Sequence, residues 1–103
     1  MLTSGQVGID PATGKLVEGG VDAQARQVMI NLKAVLKAAG CGFGDVLKCT
    51  VFMRDMADYG AINEVYGEYF TKNPPARSAV TVLGLPIDAL VEIEAVAIRK
   101  KKK

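Results

Sequence analysis

Three side chains near the end of this 103-residue sequence combine chemical capability with an apolar setting: Arg77, Glu92 and Glu94, all within the run PPARSAVTVLGLPIDALVEIEAVAI. Charge in such surroundings is costly unless it is paired, hydrogen-bonded or used. Arginine presents a planar fork that matches a carboxylate or phosphate, and a partly buried glutamate can orient or deprotonate a water. Together they could hold a small acid and activate water beside it. Residue types alone leave a second reading open, because an arginine and a glutamate on neighbouring strands are more often a structural ion pair than a site. Ser4 and Asn63 are further polar candidates.

Elimination removes most other chemistry. The sequence has no histidine, which excludes Ser-His and Cys-His nucleophilic pairs, histidine bases and histidine-ligated zinc. Its 2 cysteines, Cys41 and Cys49, are too few for a cysteine-built metal site and form no CxxC. In a reducing compartment they read as small apolar residues. GCGFGD hints at a dinucleotide loop, but Asp45 stands at the third glycine position, and the segment runs from helix to strand. GIDPATGKL resembles a phosphate-binding loop, yet it has Leu16 where serine or threonine is required. Both are turns.

The elements that must position the three charged residues can be read from periodicity. The segment LTSGQVGI, 2–9, reads as a strand and DPATGKLVEGG, 10–20, as a loop rich in turn residues. Val21, Ala25, Val28, Met29, Leu32, Val35, Leu36 and Ala39 recur at steps of three and four, which predicts a helix ending at Gly40. VLKCTVFMR, 46–54, alternates as a strand with Leu47, Cys49, Val51 and Met53 on one face. A second helix is expected over 57–70, capped by Asp55 or Asp58 and carrying Tyr59, Ile62, Tyr66, Tyr69 and Phe70 on one face; TKNPPA ends it. Strands are expected over 77–83 and 90–98, with Arg77 opening the first and Glu92 and Glu94 in the second.

The order β-α-β-α-β-β points to an α+β sandwich of two layers, one sheet with both helices on one face. In the last strand Val91, Ile93, Ala95 and Ala97 form one face and Leu90, Glu92, Glu94, Val96 and Ile98 the other, so both faces are mostly apolar. Helices can cover only one, and the second is expected to meet another copy of the chain.

Composition agrees with one globular domain over 1–98: half of the residues are hydrophobic and 23% charged. The net charge of +2 is misleading, because five of the 13 basic residues are the last five, leaving eight against 11 acidic ones in the body. The tail 99–103 reads as a solvated terminus, with nucleic-acid contact as the less favoured alternative. No apolar run is long enough to span a membrane and the opening residues lack a signal-peptide pattern, so a cytoplasmic protein is expected, or a mitochondrial one in a eukaryote.

The runs TSGQVGIDPATGKLV, NLKAVLKAAG, VLKCTVFMRDMADYGAINEVYGEYF and above all PPARSAVTVLGLPIDALVEIEAVAI resemble the RidA/YjgF family of reactive intermediate deaminases, over the whole chain apart from the lysine tail. The resemblance implies a chorismate-mutase-like fold assembled as a homotrimer, with sites in the clefts between subunits. It also implies hydrolysis of 2-imino acids such as 2-iminobutanoate and 2-iminopropanoate to 2-keto acids and ammonia, with no metal and no cofactor. By position, Arg77 would grip the substrate carboxylate and Glu92 would hold and polarise the attacking water. Ser4 and Asn63 would line or shape the cleft, Gly5 would allow close backbone approach, and Glu94 would stand behind the reacting groups. Ala79 takes a position where many members have cysteine.

Members usually open with a further strand or hairpin holding a Gly-Pro-Tyr-like loop, whereas this sequence begins at what resembles a later strand. That leaves the edge of the strand 2–9 open to another chain. The resemblance also admits two non-deaminase roles, an RNA-acting or translation-inhibiting protein and a non-catalytic trimer that binds small carboxylates.

Spacing sets one condition on a shared site. If the last two strands formed a hairpin about Pro86, Arg77 and Glu92 would be offset by about four residues, or ~13 Å, too far to hold one small imino acid. Either those strands are not hairpin neighbours or each site draws Arg77 and Glu92 from different chains.

Overall fold

The structure, a computed structural model, describes residues 3, 5–71 and 74–98. Its elements are β1 (Gln6–Val7), β2 (Ile9–Asp10), β3 (Lys15–Leu16), α1 (Gly20–Ala38), β4 (Val46–Met53), α2 (Tyr59–Tyr69), β5 (Ala76–Thr81) and β6 (Val91–Ala97). One four-stranded sheet has the order β1-β6-β4-β5, and β2 with β3 makes a separate small hairpin. β4 pairs with β5 in parallel and with β6 antiparallel, so the sheet is mixed, as expected for this α+β architecture.

The apolar stripe of α1 explains its place. Ala25, Val28, Met29, Leu32 and Leu36 are buried against Cys49, Val51 and Met53 of β4 and the alternate residues Val91, Ile93, Ala95 and Ala97 of β6. A fully buried Val, Leu or Met side chain contributes about 1.5–3 kcal/mol relative to an exposed one. The helix closes with the Cys41 amide donating to Leu36 O at 2.8 Å and the Gly40 amide to Lys37 O at 3.0 Å, which satisfies two carbonyls of the last turn. α2 packs beside α1 through Ile62, Val65 and Tyr66, and an exposed Arg26–Glu68 ion pair at 2.7 Å links the two helices.

Two expectations need correction. Leu47 does not share the core face with Cys49; it is 55% exposed. Val46 lies opposite Ala97 and Lys48 opposite Val96, so Leu47 is the extra residue of a β-bulge and Val46 takes the inner place. The opening strand is also shorter than 2–9. It breaks at Gly8, where a β-carbon would stand 2.9 Å from Gln24 Cα of α1, and the chain turns away into the β2–β3 hairpin. Within the expected loop 10–20, the Asp10 carboxylate accepts from Ala12 N at 2.8 Å and Gly14 N donates to Asp10 O, which tightens the hairpin turn.

The last two strands are not neighbours, because β4 lies between them. Their connection passes through Ile87 (φ 51°) and Asp88 (φ 57°), left-handed conformations uncommon for any side chain and strained for a β-branched one. Anchors on both sides hold it: Val82 N donates to Met53 O at 2.9 Å, and Leu90 N to the buried Gln24 Oε1 at 2.8 Å.

Cys49 and Tyr66 meet in the core below α2. The two cysteines, Cys41 and Cys49, are buried free thiols. The Tyr66 hydroxyl is buried with no hydrogen-bond partner among the described residues; Cys49 lies near enough to influence its charge without hydrogen-bond geometry. Burial pushes the Cys49 thiol up, opposed by Tyr66 and by the Arg77 cation, and burial with the neighbouring thiol pushes Tyr66 up. The unfolded chain therefore ionises first. The stability these groups contribute is complete below their ordinary values of 9.0 and 10.0 and is lost as pH rises beyond them toward the raised folded values. Thermal melts from about pH 7.5 to about 10.5 should show the melting temperature falling above about pH 9, and falling less in Tyr66→Phe.

Candidate functional site

β5 places Arg77. Its Cα partner on β4 is Cys49, a core residue, so the Arg77 side chain leaves the sheet on the helix-covered face. α2 meets it there with Tyr59, Asn63 and Tyr66, spaced by four and three residues and therefore on one side of the helix. The start of α2 is fixed by the preceding turn, where the Asp55 carboxylate accepts from Ala57 N at 2.9 Å.

Arg77 Nη1 donates to Asn63 Oδ1, and Nη2 donates to Tyr59 Oη at 2.9 Å. The guanidinium carbon lies 4.9 Å from the Tyr66 ring centre and 5.6 Å from that of Tyr59. Aromatic faces stabilise the cation without neutralising it. The ion pairs found among the described residues join Arg26 to Glu68 and Arg54 to Asp88, so Arg77 is held by neutral acceptors alone. A guanidinium has five N–H donors, and two are used here. Those that remain suit an anion with two oxygens.

Glu92 occupies the other side of the sheet. It lies opposite Phe52 on β4 and Val7 on β1, and its half-buried side chain points away from the helices. Gly5 approaches it so closely that a β-carbon there would stand 2.7 Å from Glu92 Cδ. Gly5 is thus the residue that lets the chain pass the carboxylate. Glu94 lies on the same face, opposite Thr50, beside a hollow of about 280 Å³ lined by Thr3, Lys48, Thr50 and Val96. Thr3 holds the neighbouring Ala95 from both sides, its amide donating to Ala95 O at 3.0 Å and Ala95 N donating to its hydroxyl at 2.9 Å.

The fold therefore brings together Arg77 with Asn63, and Gly5 with Glu92, but not Arg77 with Glu92. Within one chain these two stand on opposite faces. Along β4 they are level with Cys49 and Phe52, about 10 Å apart, and two strand spacings add about 10 Å across the sheet. Ser4 lies outside the described residues. Ala79 shares the Arg77 face, opposite Val51.

The sequence marks Tyr59 and Tyr66 only as part of an apolar helix face. A further signal is present in it: Tyr59, Asn63 and Tyr66 fall on one line along a helix, and a mixed polar and aromatic line suits the edge of a cleft better than a core.

Residues 1–99 match the profile of the family described as Endoribonuclease L-PSP. A mouse protein named 2-iminobutanoate/2-iminopropanoate deaminase is 52% identical over 96 residues, 93% of this chain and 71% of that one. The crystal structure of RidA from the Antarctic bacterium Psychrobacter sp. PAMC 21119 superposes with a TM-score of 0.90 at 44% identity, covering 94% of this chain and 79% of that one. Escherichia coli TdcF, solved with bound serine, gives a TM-score of 0.91 at 44% identity, covering 96% and 80%. With a profile match over residues 1–99 and a RidA structure superposing over 94% of its length at 44% identity, the chain belongs to the RidA/YjgF family.

Proposed function

We propose that the protein hydrolyses small 2-imino acids such as 2-iminobutanoate and 2-iminopropanoate to 2-keto acids and ammonia, at sites formed between the subunits of a homotrimer. The observation that carries this reading is Arg77: a partly buried guanidinium set against two tyrosine rings, with neutral acceptors in place of a carboxylate. Relatives at about half identity that are named for this reaction support it. So does the TdcF structure, whose bound serine is itself a small α-carboxylate.

In the proposed reaction Arg77 grips the substrate carboxylate, which fixes the imine carbon in place. Glu92 accepts a proton from a water as the water oxygen bonds to that carbon, and the C=N pair moves onto nitrogen. Glu92 hands that proton to the nitrogen of the resulting carbinolamine, and the new hydroxyl then gives its own proton back to Glu92 as the carbonyl forms and the C–N bond breaks to release ammonia. A protonated imine is already electrophilic, so positioning supplies most of what is needed. Asn63 steadies the arginine fork, Gly5 leaves room for the carboxylate of Glu92, and Glu94 supports the water from beside it. The reaction as written is balanced by water alone and draws on no cofactor or metal.

The opposite-face placement of Arg77 and Glu92 is what makes the trimer part of the reading. One chain cannot close a site around a four-carbon acid with these two groups. A neighbouring copy that seats its open sheet face, with Glu92, Leu90, Val96 and Ile98, against the β5 side of the next could do so. Ile98 and Val80 are 53% and 41% exposed, and covering them is favourable. No helix of the described residues is long and apolar enough to cross a membrane. The proposed compartment is the cytoplasm, or the mitochondrion in a eukaryote. The tail 99–103, on which the nucleic-acid alternative rests, lies outside the described residues.

Sedimentation at micromolar concentration should give three times the chain mass of 10.9 kDa; a monomer would end the shared-site reading. With 2-iminobutanoate generated in place by a threonine dehydratase, Glu92→Gln should keep the fold and lose about a hundredfold or more of the acceleration, since the amide cannot take the proton. Glu94→Gln should lose less. Arg77→Lys should weaken binding of 2-ketobutyrate by roughly tenfold or more, a point charge being unable to reproduce the fork. Hydrolysis by Glu92→Gln at the wild-type rate would show that Glu92 is structural.

A further inference from the structure

The carboxylate of Glu92 rests on the segment that carries β1. Val7 is the Cα partner of Glu92, and a β-carbon on Gly5 would collide with the carboxyl group itself. Where β1 lies therefore decides where the carboxylate can lie. Yet β1 is an edge strand of 2 residues, shorter than most strands, so contacts outside the ladder must fix it. Thr3 secures its near end through Ala95. At the far end α1 reaches across: Asn31 Nδ2 donates to Val7 O at 3.1 Å and to Ile9 O at 2.8 Å, one bond on either side of the break at Gly8. Gly8 O between them accepts from Val17 N of the hairpin. Gln27, one turn earlier on the same side of α1, donates Nε2 to Asn31 Oδ1 at 2.9 Å. That bond takes the acceptor end of the amide and turns its two N–H donors toward β1.

From this chain of contacts we infer that Asn31 is a positioning residue for the reaction, pinning the end of β1 and, through it, the carboxylate of Glu92. The inference rests on Glu92 being the base proposed above. One amide group that holds a carbonyl on each side of Gly8 fixes both the end of the strand and the direction in which the chain leaves for the β2–β3 hairpin. Without it a two-residue strand is free to lift from β6, and Gly5 moves with it. The base must stay within reach of one water, and a misplacement of about 1 Å costs up to about a hundredfold in rate. Arg77 is outside the reach of this clamp, because β6 and β4 stand between β1 and β5.

The test follows hydrolysis of 2-iminobutanoate and binding of 2-ketobutyrate in Asn31→Ala, made both in the wild-type protein and in Glu92→Gln. Alanine suits this half-buried helix position, so the variant should stay assembled. It should bind 2-ketobutyrate as wild type does and lose about tenfold or more in kcat. In Glu92→Gln the same substitution should cost little further, since the group that Asn31 positions is already disabled, whereas a merely structural role would cost the same factor in both backgrounds. Gln27→Ala, which releases the amide without touching β1, should show the same pattern with a smaller loss, and it carries the test if Asn31→Ala does not fold. Wild-type kcat in Asn31→Ala, or in Gln27→Ala where that variant stands in for it, overturns the inference while leaving Glu92 as the base. So do equal losses in both backgrounds, or a loss of 2-ketobutyrate binding in step with kcat. Hydrolysis by Glu92→Gln at the wild-type rate would instead remove the base, and the inference with it.

Discussion

Two helices can cover only one face of a four-stranded sheet, and the placement of every charged candidate in this structure depends on that limit. α1 and α2 lie over the face made by Cys49, Val51 and Met53 of β4 and the alternate residues of β6, where burial is nearly complete. The period-two pleat then sends every intervening residue of β6 to the uncovered side. Glu92 and Glu94 are there because Val91, Ile93 and Ala95 are in the core. Moving the register of β6 by one residue would exchange the two sets and put carboxylates into the core.

The same pleat gives Arg77 its different fate. β5 joins β4 in parallel, and the register that sets Ala79 opposite Val51 sets Arg77 opposite Cys49. An arginine on a core-facing position of an edge strand must reach out past the hydrophobic layer or find polar cover. It does both, lying over Tyr66 while its nitrogens reach Asn63 and Tyr59. Its long stem shields apolar surface and its charged end meets the wet side.

Much of this is legible in the sequence because it depends on spacing. The two helices and the three longer strands lie close to where periodicity puts them, and the doubly apolar last strand points to an uncovered face. Features set by a neighbour in space are not legible. The bulge at Leu47 depends on how β4 meets Ala97 and Val96, and the break at Gly8 on contact with Gln24. Strand order and register are the costliest unknowns: the insertion of β4 between β5 and β6 separates Arg77 from Glu92 across the sheet, and their registers with Cys49 and Phe52 put them on opposite faces. The arginine and the asparagine can be singled out by type, whereas the part of Tyr59 needs the side-chain geometry.

The line Tyr59, Asn63, Tyr66 also sets how this chain can change length. Each residue added to a helix rotates all later residues by about 100° and advances them by about 1.5 Å. A single insertion or deletion between Tyr59 and Tyr66 would turn part of the line about 100° away from the rest and leave Arg77 without part of its cover. The β2–β3 hairpin carries no such constraint, since its turn at residues 11–14 is exposed and holds only its own ends. Among descendants of this sequence, length should therefore drift at that turn and stay fixed along the first two turns of α2.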